Sequence, residues 1–232
     1  MKNTKKTKEL EKAVGLTFKD KSLLDLAFVH RSYMNESGDK KQHNERLEYL
    51  GDAVLELAVT DYLYYKYPDH PEGDLTNWRS ALVKGKNLAK VAKKLGLGDY
   101  LYLSRGEELS GGREKAYILA NTVEALIGAV YLDGGFEIAR KFIMKHIVVM
   151  LEEIISQGLD VDPKSRVQEL AQEKLNVTPR YELLSETGPD HDKKFIMGIY
   201  FDAKLIADGM GPSKQDAEQA AAANALKAKK WN

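Results

Sequence analysis

The first two thirds of the chain and the last third show different patterns of apolar and polar positions. From Leu10 to about Ile155, apolar residues recur three and four positions apart, which is the spacing of one buried helix face. Glycine, proline and short polar stretches interrupt this pattern and predict loops. The longer predicted helices cover residues 44–65, 75–95, 116–132 and 136–155. Asp74 is placed to cap the second of these.

The order of elements changes in the last third of the chain. Asp162 and Pro163 combine an N-cap residue with a proline in the first turn, and they predict the start of a helix. Ser213, with Asp216 three positions later, predicts the start of an alanine-rich helix. Between the two helices, alternating segments predict strands at residues 180–185, 194–201 and 204–210.

These patterns predict a multi-domain protein. Residues 1–156 form an all-α domain, and residues 162–232 form a small α+β domain with the order α-β-β-β-α. The five residues 157–161 are polar, contain a glycine and are predicted to be a linker. A length of 232 residues accommodates two domains of ordinary size.

The helix predicted at residues 44–65 carries a row of carboxylates. Glu45, Glu48 and Asp52 lie at i, i+3 and i+7, so a helix places all three on one face. From this spacing alone, a solvated acidic face is the ordinary interpretation. A different face of the same helix carries a stripe expected to point into the core: Leu47, Leu50, Val54 and Leu57.

A second helix offers polar oxygens in a largely apolar setting. Asn121 and Glu124 lie at i and i+3 on the strongly apolar helix at residues 116–132, where a carboxylate is costly unless it is paired or holds a cation. Two such pairs facing each other in a helical bundle make an oxygen-only ligand set. Oxygen ligands suit Mg²⁺ or Mn²⁺ rather than Zn²⁺ and point to metal-dependent phosphodiester hydrolysis.

Composition limits the function classes. With 35 Lys/Arg and 35 Asp/Glu, the net charge of zero does not by itself indicate a nucleic-acid partner. The absence of cysteine excludes disulfides and thiolate metal sites. No run approaches the roughly 20 apolar residues of a membrane span, so we expect a cytoplasmic protein without a membrane partner. The sequence contains no phosphate-binding glycine loop, no dinucleotide fingerprint and no nucleophile elbow. We therefore expect no small-molecule substrate.

The densest basic run follows the acidic helix. It consists of Arg79, Lys84, Lys86, Lys90, Lys93 and Lys94. Two interpretations are open: a solvated face, which is the ordinary one, or a contact with a phosphate backbone.

The acidic motif carries a family resemblance. Residues 44–52, Asn-Glu-Arg-Leu-Glu-Tyr-Leu-Gly-Asp, resemble the signature of bacterial ribonuclease III. The C-terminal α-β-β-β-α segment is similar to the double-stranded-RNA-binding domain that follows the nuclease domain in that family. The resemblance covers nearly the whole chain, and further motifs stand in the family's order and spacing: residues 30–33, 72–74, 118–128 and 131–135.

The resemblance implies a homodimeric endonuclease that cuts double-stranded RNA with Mg²⁺, for which Mn²⁺ can substitute. The expected products have 5′-phosphate and 3′-hydroxyl ends with short 3′ overhangs, and the expected role is processing of ribosomal and other structured RNA precursors. Asp52 and Glu124 match the family's most critical catalytic positions, and Glu45 and Glu72 match supporting acidic positions. The positions that match the family's metal site are Glu48, Asp52, Asn121 and Glu124.

The resemblance also implies interaction surfaces. The apolar surface around the signature helix, from Leu47 to Leu57 with Tyr49, would include the dimer seam, although Tyr49 in the core of its own chain is an equal alternative. In the C-terminal domain, the positions that match RNA contacts are Gln168, Glu169, His191, Lys214 and Gln215.

One position departs from the family pattern, which usually has Asp where this chain has Asn121. Asparagine keeps one carbonyl oxygen as a ligand but loses a full negative charge. Two hypotheses follow: a tolerated natural variation with a greater need for Mg²⁺, or a weakened site in a protein that binds double-stranded RNA as a regulator without cutting it.

Overall fold

The computed structural model of the chain describes residues 4–35, 42–156, 158, 162–189 and 193–231. The chain divides into two compact units, Met1–Asp160 and Val161–Asn232, and each is described by itself. Of the predicted linker, residues 157 and 159–161 lie outside the described residues.

The described part of the first unit consists of helices and connecting loops, with one isolated bridge between the extended residues Val29 and Tyr102. Its α-helices, in chain order, are α1 Thr4–Val14, α2 Lys21–Ala27, α3 Glu45–Lys66, α4 Glu72–Val83, α5 Gly85–Lys94, α6 Arg105–Leu109, α7 Ala116–Gly134, α8 Phe136–His146 and α9 Leu151–Ser156. Short 3₁₀ turns lie at Arg31–Asn35, Leu97–Tyr100, Gly112–Glu114 and Val148–Met150.

Two of the predicted helices are wrong in extent. The one predicted at residues 75–95 is two helices, because Lys84 between α4 and α5 has extended backbone with φ −54° and ψ 132°. Asp74 accordingly lies in the first turn of α4 rather than at a cap. The helix predicted at residues 136–155 breaks after α8, where the β-branched run Ile147-Val148-Val149 favours helix poorly.

Helix α7 is the centre of the first unit. It packs against α2, α3, α5 and α8, and its residues from Ile118 to Val130 are buried except for Asn121 and Glu124. By length and composition it could cross a membrane, contrary to the expectation that no segment would qualify, but 61 % of that stretch is buried inside the unit. This burial explains its apolar composition as that of a core helix.

Helices α3 and α7 meet backbone to backbone. A Cβ added to Gly51 on α3 would overlap the carbonyl oxygen of Glu124 and lie 2.8 Å from the amide nitrogen of Gly128. A Cβ added to Gly128 on α7 would overlap the carbonyl oxygen of Leu47. Two glycines are therefore needed for this approach, because any side chain at either position would push the helices apart.

The apolar residues of α3 fall into two groups. Leu47 and Val54 are buried under α7 as predicted, and Leu50 is half-buried. Leu57 is 58 % exposed and Tyr49 is 82 % exposed, so the prediction of Leu57 as a core residue is wrong, as is the alternative that placed Tyr49 in the core of its own chain. The reason is that the neighbouring helices cover only one side of α3.

The second unit has the predicted order. Its elements are α10 Pro163–Leu175, β1 Arg180–Thr187, β2 Lys194–Phe201, β3 Lys204–Gly211 and α11 Lys214–Lys229, and the strands form an antiparallel sheet in the order β1-β2-β3. Both predicted caps are present: Asp162 accepts from the Ser165 amide at 3.0 Å and Ser213 from the Asp216 amide at 3.1 Å. The alanines of α11 fit the sheet closely, since a Cβ at Gly209 would overlap the α11 backbone at Ala221.

The glycine contact predicts the effect of a single methyl group. Gly128→Ala should lower the free energy of unfolding by about 2–3 kcal/mol, since backbone atoms cannot move aside as a flexible side chain can. Chemical denaturation measures this change. The matched control is Gly73→Ala on α4, where a Cβ meets nothing within 4 Å and the stability should stay equal or rise slightly. Equal stability of the two variants would contradict the prediction.

Candidate active site and RNA-binding surface

The close approach of α3 and α7 brings the two sets of polar oxygens together. Glu48 and Asp52 lie on either side of Gly51, whose backbone contacts the peptide of Glu124. One turn earlier on α7, the Asn121 amide hydrogen-bonds with the Glu48 carboxylate. The facing pairs predicted from the sequence are therefore neighbours across the helix crossing.

The electrostatics of this cluster are unfavourable without a counter-ion. Burial raises the pKa of Glu124 to about 7, and the charges of Asp52 and Glu48 act in the same direction. Burial also raises the pKa of Glu48, as do the charges of Glu45 and Asp52, while the hydrogen bond from Asn121 opposes this rise. A site in which carboxylates hold their protons so strongly is one that a cation would stabilise.

The donor set fits a hard divalent cation. Glu48, Asp52 and Glu124 offer carboxylate oxygens and Asn121 offers an amide oxygen, which is the chemistry that Mg²⁺ prefers. Within the described part of the chain, no three His, Cys, Asp or Glu side chains are already close enough to share one ion. Repulsion between ionised carboxylates disfavours their closer approach in the absence of a cation.

Glu45 has partners that the sequence analysis missed. Its carboxylate lies 3.3 Å from the guanidinium of Arg31 and 3.7 Å from Nδ1 of His43. The only sequence signal for this cluster is position, since His43 immediately precedes the signature helix and Arg31 lies in the motif at residues 30–33. The Arg31 guanidinium thus compensates part of the charge of Glu45 at the rim of the cluster.

Glu72 is held by its own helix. It occupies the first turn of α4, and its carboxylate accepts a hydrogen bond from Oγ1 of Thr76 at 2.9 Å. It lines an open groove together with aromatic residues that include Tyr64 and Tyr65. None of the contacts described for the chain joins Glu72 to Glu48, Asp52 or Glu124, so within one chain it is separate from the acidic cluster.

In the second unit, most predicted RNA contacts are exposed. Gln168 and Glu169 lie on the solvent side of α10, and Lys214 and Gln215 open α11. His191 lies outside the described residues. The amino ends of the two helices are held together by an ion pair between Lys164 and Glu218 at 2.6 Å, and by a hydrogen bond from Gln219 to Asp162 at 2.8 Å.

Two family models and several relatives match the sequence of this chain. A family model described as ribonuclease-III-like matches residues 20–151, and a model of the double-stranded RNA binding motif matches residues 163–229. Ribonuclease 3 of Chloroflexus aurantiacus is 46 % identical over 223 residues, which cover 95 % of this chain and 90 % of that protein. Ribonuclease 3 of Bdellovibrio bacteriovorus is 44 % identical over 223 residues, covering 96 % and 95 %.

A solved structure of a nuclease domain is also similar to this chain. The nuclease domain of ribonuclease III from Campylobacter jejuni has 46 % sequence identity and a TM-score of 0.56, covering 60 % of this chain and 94 % of that one. That structure is described as having structural flexibility in a region involved in dimer formation.

An all-helical nuclease unit followed by a double-stranded RNA binding motif defines a class of RNA-cleaving endonucleases. The chain belongs to the ribonuclease III family, since the family model spans more than half of it and the relatives match over nearly its whole length. It is an endoribonuclease of a family that typically uses Mg²⁺. The fold class and the resemblance predicted from the sequence are confirmed.

The raised pKa of Glu124 predicts how stability depends on pH without metal. Because the folded state favours the protonated carboxyl, stability is fully retained below the ordinary pKa of 4.5 and falls as pH rises through about 7. Glu124→Gln removes this loss, so in EDTA it should be more stable than the parent by about 2 kcal/mol at pH 8 and by little at pH 5. Chemical denaturation at the two pH values measures the difference.

The control is Glu137→Gln, an exposed glutamate on α8. Its stability relative to the parent should be the same at both pH values. If Glu124→Gln behaved like this control, the interpretation of the cluster as an uncompensated acidic site would be wrong.

Proposed function

We propose that the chain cleaves double-stranded RNA at a metal site formed by Glu48, Asp52, Asn121 and Glu124, and that Asp52 and Glu124 are its catalytic residues. The observation that carries this proposal is the placement of these groups across the α3–α7 crossing, where burial and neighbouring charges raise the pKa of Glu124 to about 7. A carboxyl group in this state becomes an effective ligand once a cation compensates its charge.

Each side chain has a distinct part in this mechanism. When bound, Mg²⁺ supplies Lewis-acid stabilisation of the charge that develops on the phosphate, and it lowers the pKa of water. Glu124, whose pKa is raised in the metal-free protein, would lose its proton and serve as a ligand from α7 when a cation binds. Asp52 is exposed and can approach both the cation and the RNA, while the amide of Asn121 orients Glu48. Glu45 and Glu72 are assigned supporting roles at the edge of the cleavage path.

The proposed products have 5′-phosphate and 3′-hydroxyl ends with short 3′ overhangs. Structured precursors, including ribosomal RNA, are the proposed substrates, and the cytoplasm is the proposed location. We divide the chain into a nuclease domain at residues 1–156, a linker at 157–161 and an RNA-binding domain at 162–232. In that domain, Gln168, Glu169, Lys214 and Gln215, together with His191, are the proposed RNA contacts.

The enzyme is proposed to act as a homodimer through the uncovered side of α3. Tyr49, Leu57 and Tyr64 lie within one face of this helix, and all three are exposed. Apolar groups of this size on one exposed face are typical of a surface that another protein covers. The region involved in dimer formation in the Campylobacter jejuni relative is consistent with a second copy as that partner. A monomer at micromolar concentration in sedimentation would contradict this assignment.

The second candidate function rests on Asn121. If the missing negative charge prevented cation binding, the chain would bind double-stranded RNA without cutting it. We favour the enzyme because three carboxylates remain in the cluster and because the relatives that match the whole chain are ribonucleases.

One assay separates the two functions. Long duplex RNA is incubated with the full chain, with and without Mg²⁺, and with the Glu124→Gln variant. The enzyme should shorten the RNA only with Mg²⁺, and Glu124→Gln should remove this activity, whereas Glu137→Gln should cut like the parent. RNA that is retarded in a native gel but stays uncut at high Mg²⁺ and at high Mn²⁺ would establish the regulator instead.

The Asn121 position predicts a metal requirement. Asn121→Asp adds a negative charge beside the cation, so the Mg²⁺ concentration for half-maximal cleavage should fall by about 3- to 10-fold. The same charge is added by Asn77→Asp on the exposed side of α4, which should leave the titration unchanged. Identical half-saturation for the parent and Asn121→Asp would contradict the prediction.

A further inference from the structure

Helix α5 carries a concentration of positive charge that the proposed catalytic site does not use. Between Asp74 and Asp99 the chain has six Lys or Arg residues and no Asp or Glu, although its overall net charge is zero. Five of the six belong to α5 or to the residue before it. We call the exposed residues of this group the lysine stripe: Lys84, Lys86, Lys90, Lys93 and Lys94.

The stripe lies on one side of its helix. Leu88, Ala89, Val91 and Ala92 are buried on the other side, which fixes the rotation of α5 in the unit. Lys86, Lys90 and Lys94 follow one another at i, i+4 and i+8, so their ammonium groups are neighbours on the exposed face. A helix surface that faces only water usually alternates the sign of its charges, because like charges four residues apart are unfavourable.

The stripe has little compensation within the chain. Lys93 lies 3.8 Å from Glu114, and both side chains are largely exposed, which makes this a weak pair. Arg79, the sixth cation, is engaged by Glu56 at 3.0 Å. Among the residues that the structure describes, Lys86, Lys90 and Lys94 form no ion pair. Lys84 and Lys86 also stand at the amino end of α5, where the helix dipole disfavours cations.

The position of α5 connects the stripe to the cleavage site. A Cβ added to Gly85 would lie 3.7 Å from the Cβ of Ala120, the residue that precedes Asn121 on α7. The amino end of α5 therefore begins beside the acidic cluster, and the remaining lysines extend from there along the helix. A phosphate backbone that passes from the acidic cluster along α5 would meet the lysine stripe, beginning with Lys84 and Lys86.

We propose that the lysine stripe binds the phosphate backbone of double-stranded RNA next to the cleavage site. This inference rests on the proposed function and adds a positioning surface to it. The stripe supplies sequence-independent attraction, whereas the acidic cluster on its own repels RNA. The start of α11 in the RNA-binding unit is polar rather than strongly basic, with Lys214 followed by Gln215 and Asp216. A second basic surface would add phosphate contacts that this helix start lacks.

The test measures RNA binding and cleavage separately. A labelled, fully paired duplex is titrated with full-length Glu124→Gln protein in Mg²⁺ at several KCl concentrations, and the intactness of the RNA is checked on a denaturing gel. The triple variant Lys86→Gln/Lys90→Gln/Lys94→Gln should bind at least about 10-fold more weakly at physiological salt. Its plot of log affinity against log salt should be shallower by about 2–3, since each lost phosphate contact removes nearly one from the slope.

Two controls make the result specific. Lys8→Gln/Lys12→Gln/Lys141→Gln removes the same charge from exposed positions on α1 and α8 and should keep the parent's slope. The triple lysine-to-arginine variant of the stripe should bind like the parent, which shows that positive charge is what matters, and the retained maximal cleavage rate of the glutamine variant shows that it is folded. An unchanged slope in the stripe variant, or an equal loss in the α1/α8 variant, would overturn the proposal.

Cleavage by the otherwise unmodified chain provides the second readout. The stripe variant should need more RNA for half-maximal rate and keep its maximal rate, because it loses binding and retains the metal ligands. A parent that binds but never cuts would defeat the proposed nuclease function and leave the binding result standing. A parent that cuts, together with a stripe variant of unchanged RNA requirement, would defeat only the lysine stripe.

Discussion

The contact between the backbones of α3 and α7 is the constraint on which the nuclease unit depends. Gly51 and Gly128 allow the two helices to approach until peptide groups touch, and this distance sets where the flanking side chains stand. Gly51 positions Glu48 and Asp52, which lie near it on α3. On α7, the peptide that Gly51 contacts belongs to Glu124 and positions that side chain. The packing of the two helices and the placement of the proposed metal ligands therefore depend on the same two glycines. A change that moved the helices apart at their crossing would also move the proposed ligands.

Opposite charges are separated along the surface of this unit. The acidic cluster lies at the helix crossing, and the lysine stripe starts beside it at the amino end of α5. If the stripe binds RNA as proposed, this division would allow a chain of zero net charge to act on a polyanion, because the attraction is local and the acidic groups are left for a cation. Neighbouring groups also reduce the repulsion within the acidic cluster. Arg31 and His43 lie beside Glu45 and limit the repulsion that Glu45 adds to Glu48.

Local signals predicted a large part of this structure. The caps at Asp162 and Ser213 and the apolar run of α7 depend on near neighbours in sequence, and they were predicted correctly. The break at Lys84 was missed because Gly85, the local signal beside it, is a weak one: an isolated glycine within a helical pattern is often tolerated. The exposure of Leu57 was missed, and that of Tyr49 was left open between surface and core, for a related reason: periodicity gives the apolar side of a helix but not which side a neighbour covers.

In the proposed metal site, asparagine at position 121 balances metal affinity against the stability of the free protein. A fourth carboxylate in the cluster would strengthen the attraction for a divalent cation, yet it would also increase the repulsion that already raises the pKa of Glu124 to about 7. Asparagine keeps one side-chain oxygen for the cation. Its amide also donates a hydrogen bond to the Glu48 carboxylate, which lowers the free-energy cost of the negative charge on Glu48. The same side chain thus eases folding in the absence of metal and weakens binding when metal is present. Since both effects arise from one charge, neither can be changed at this position without the other.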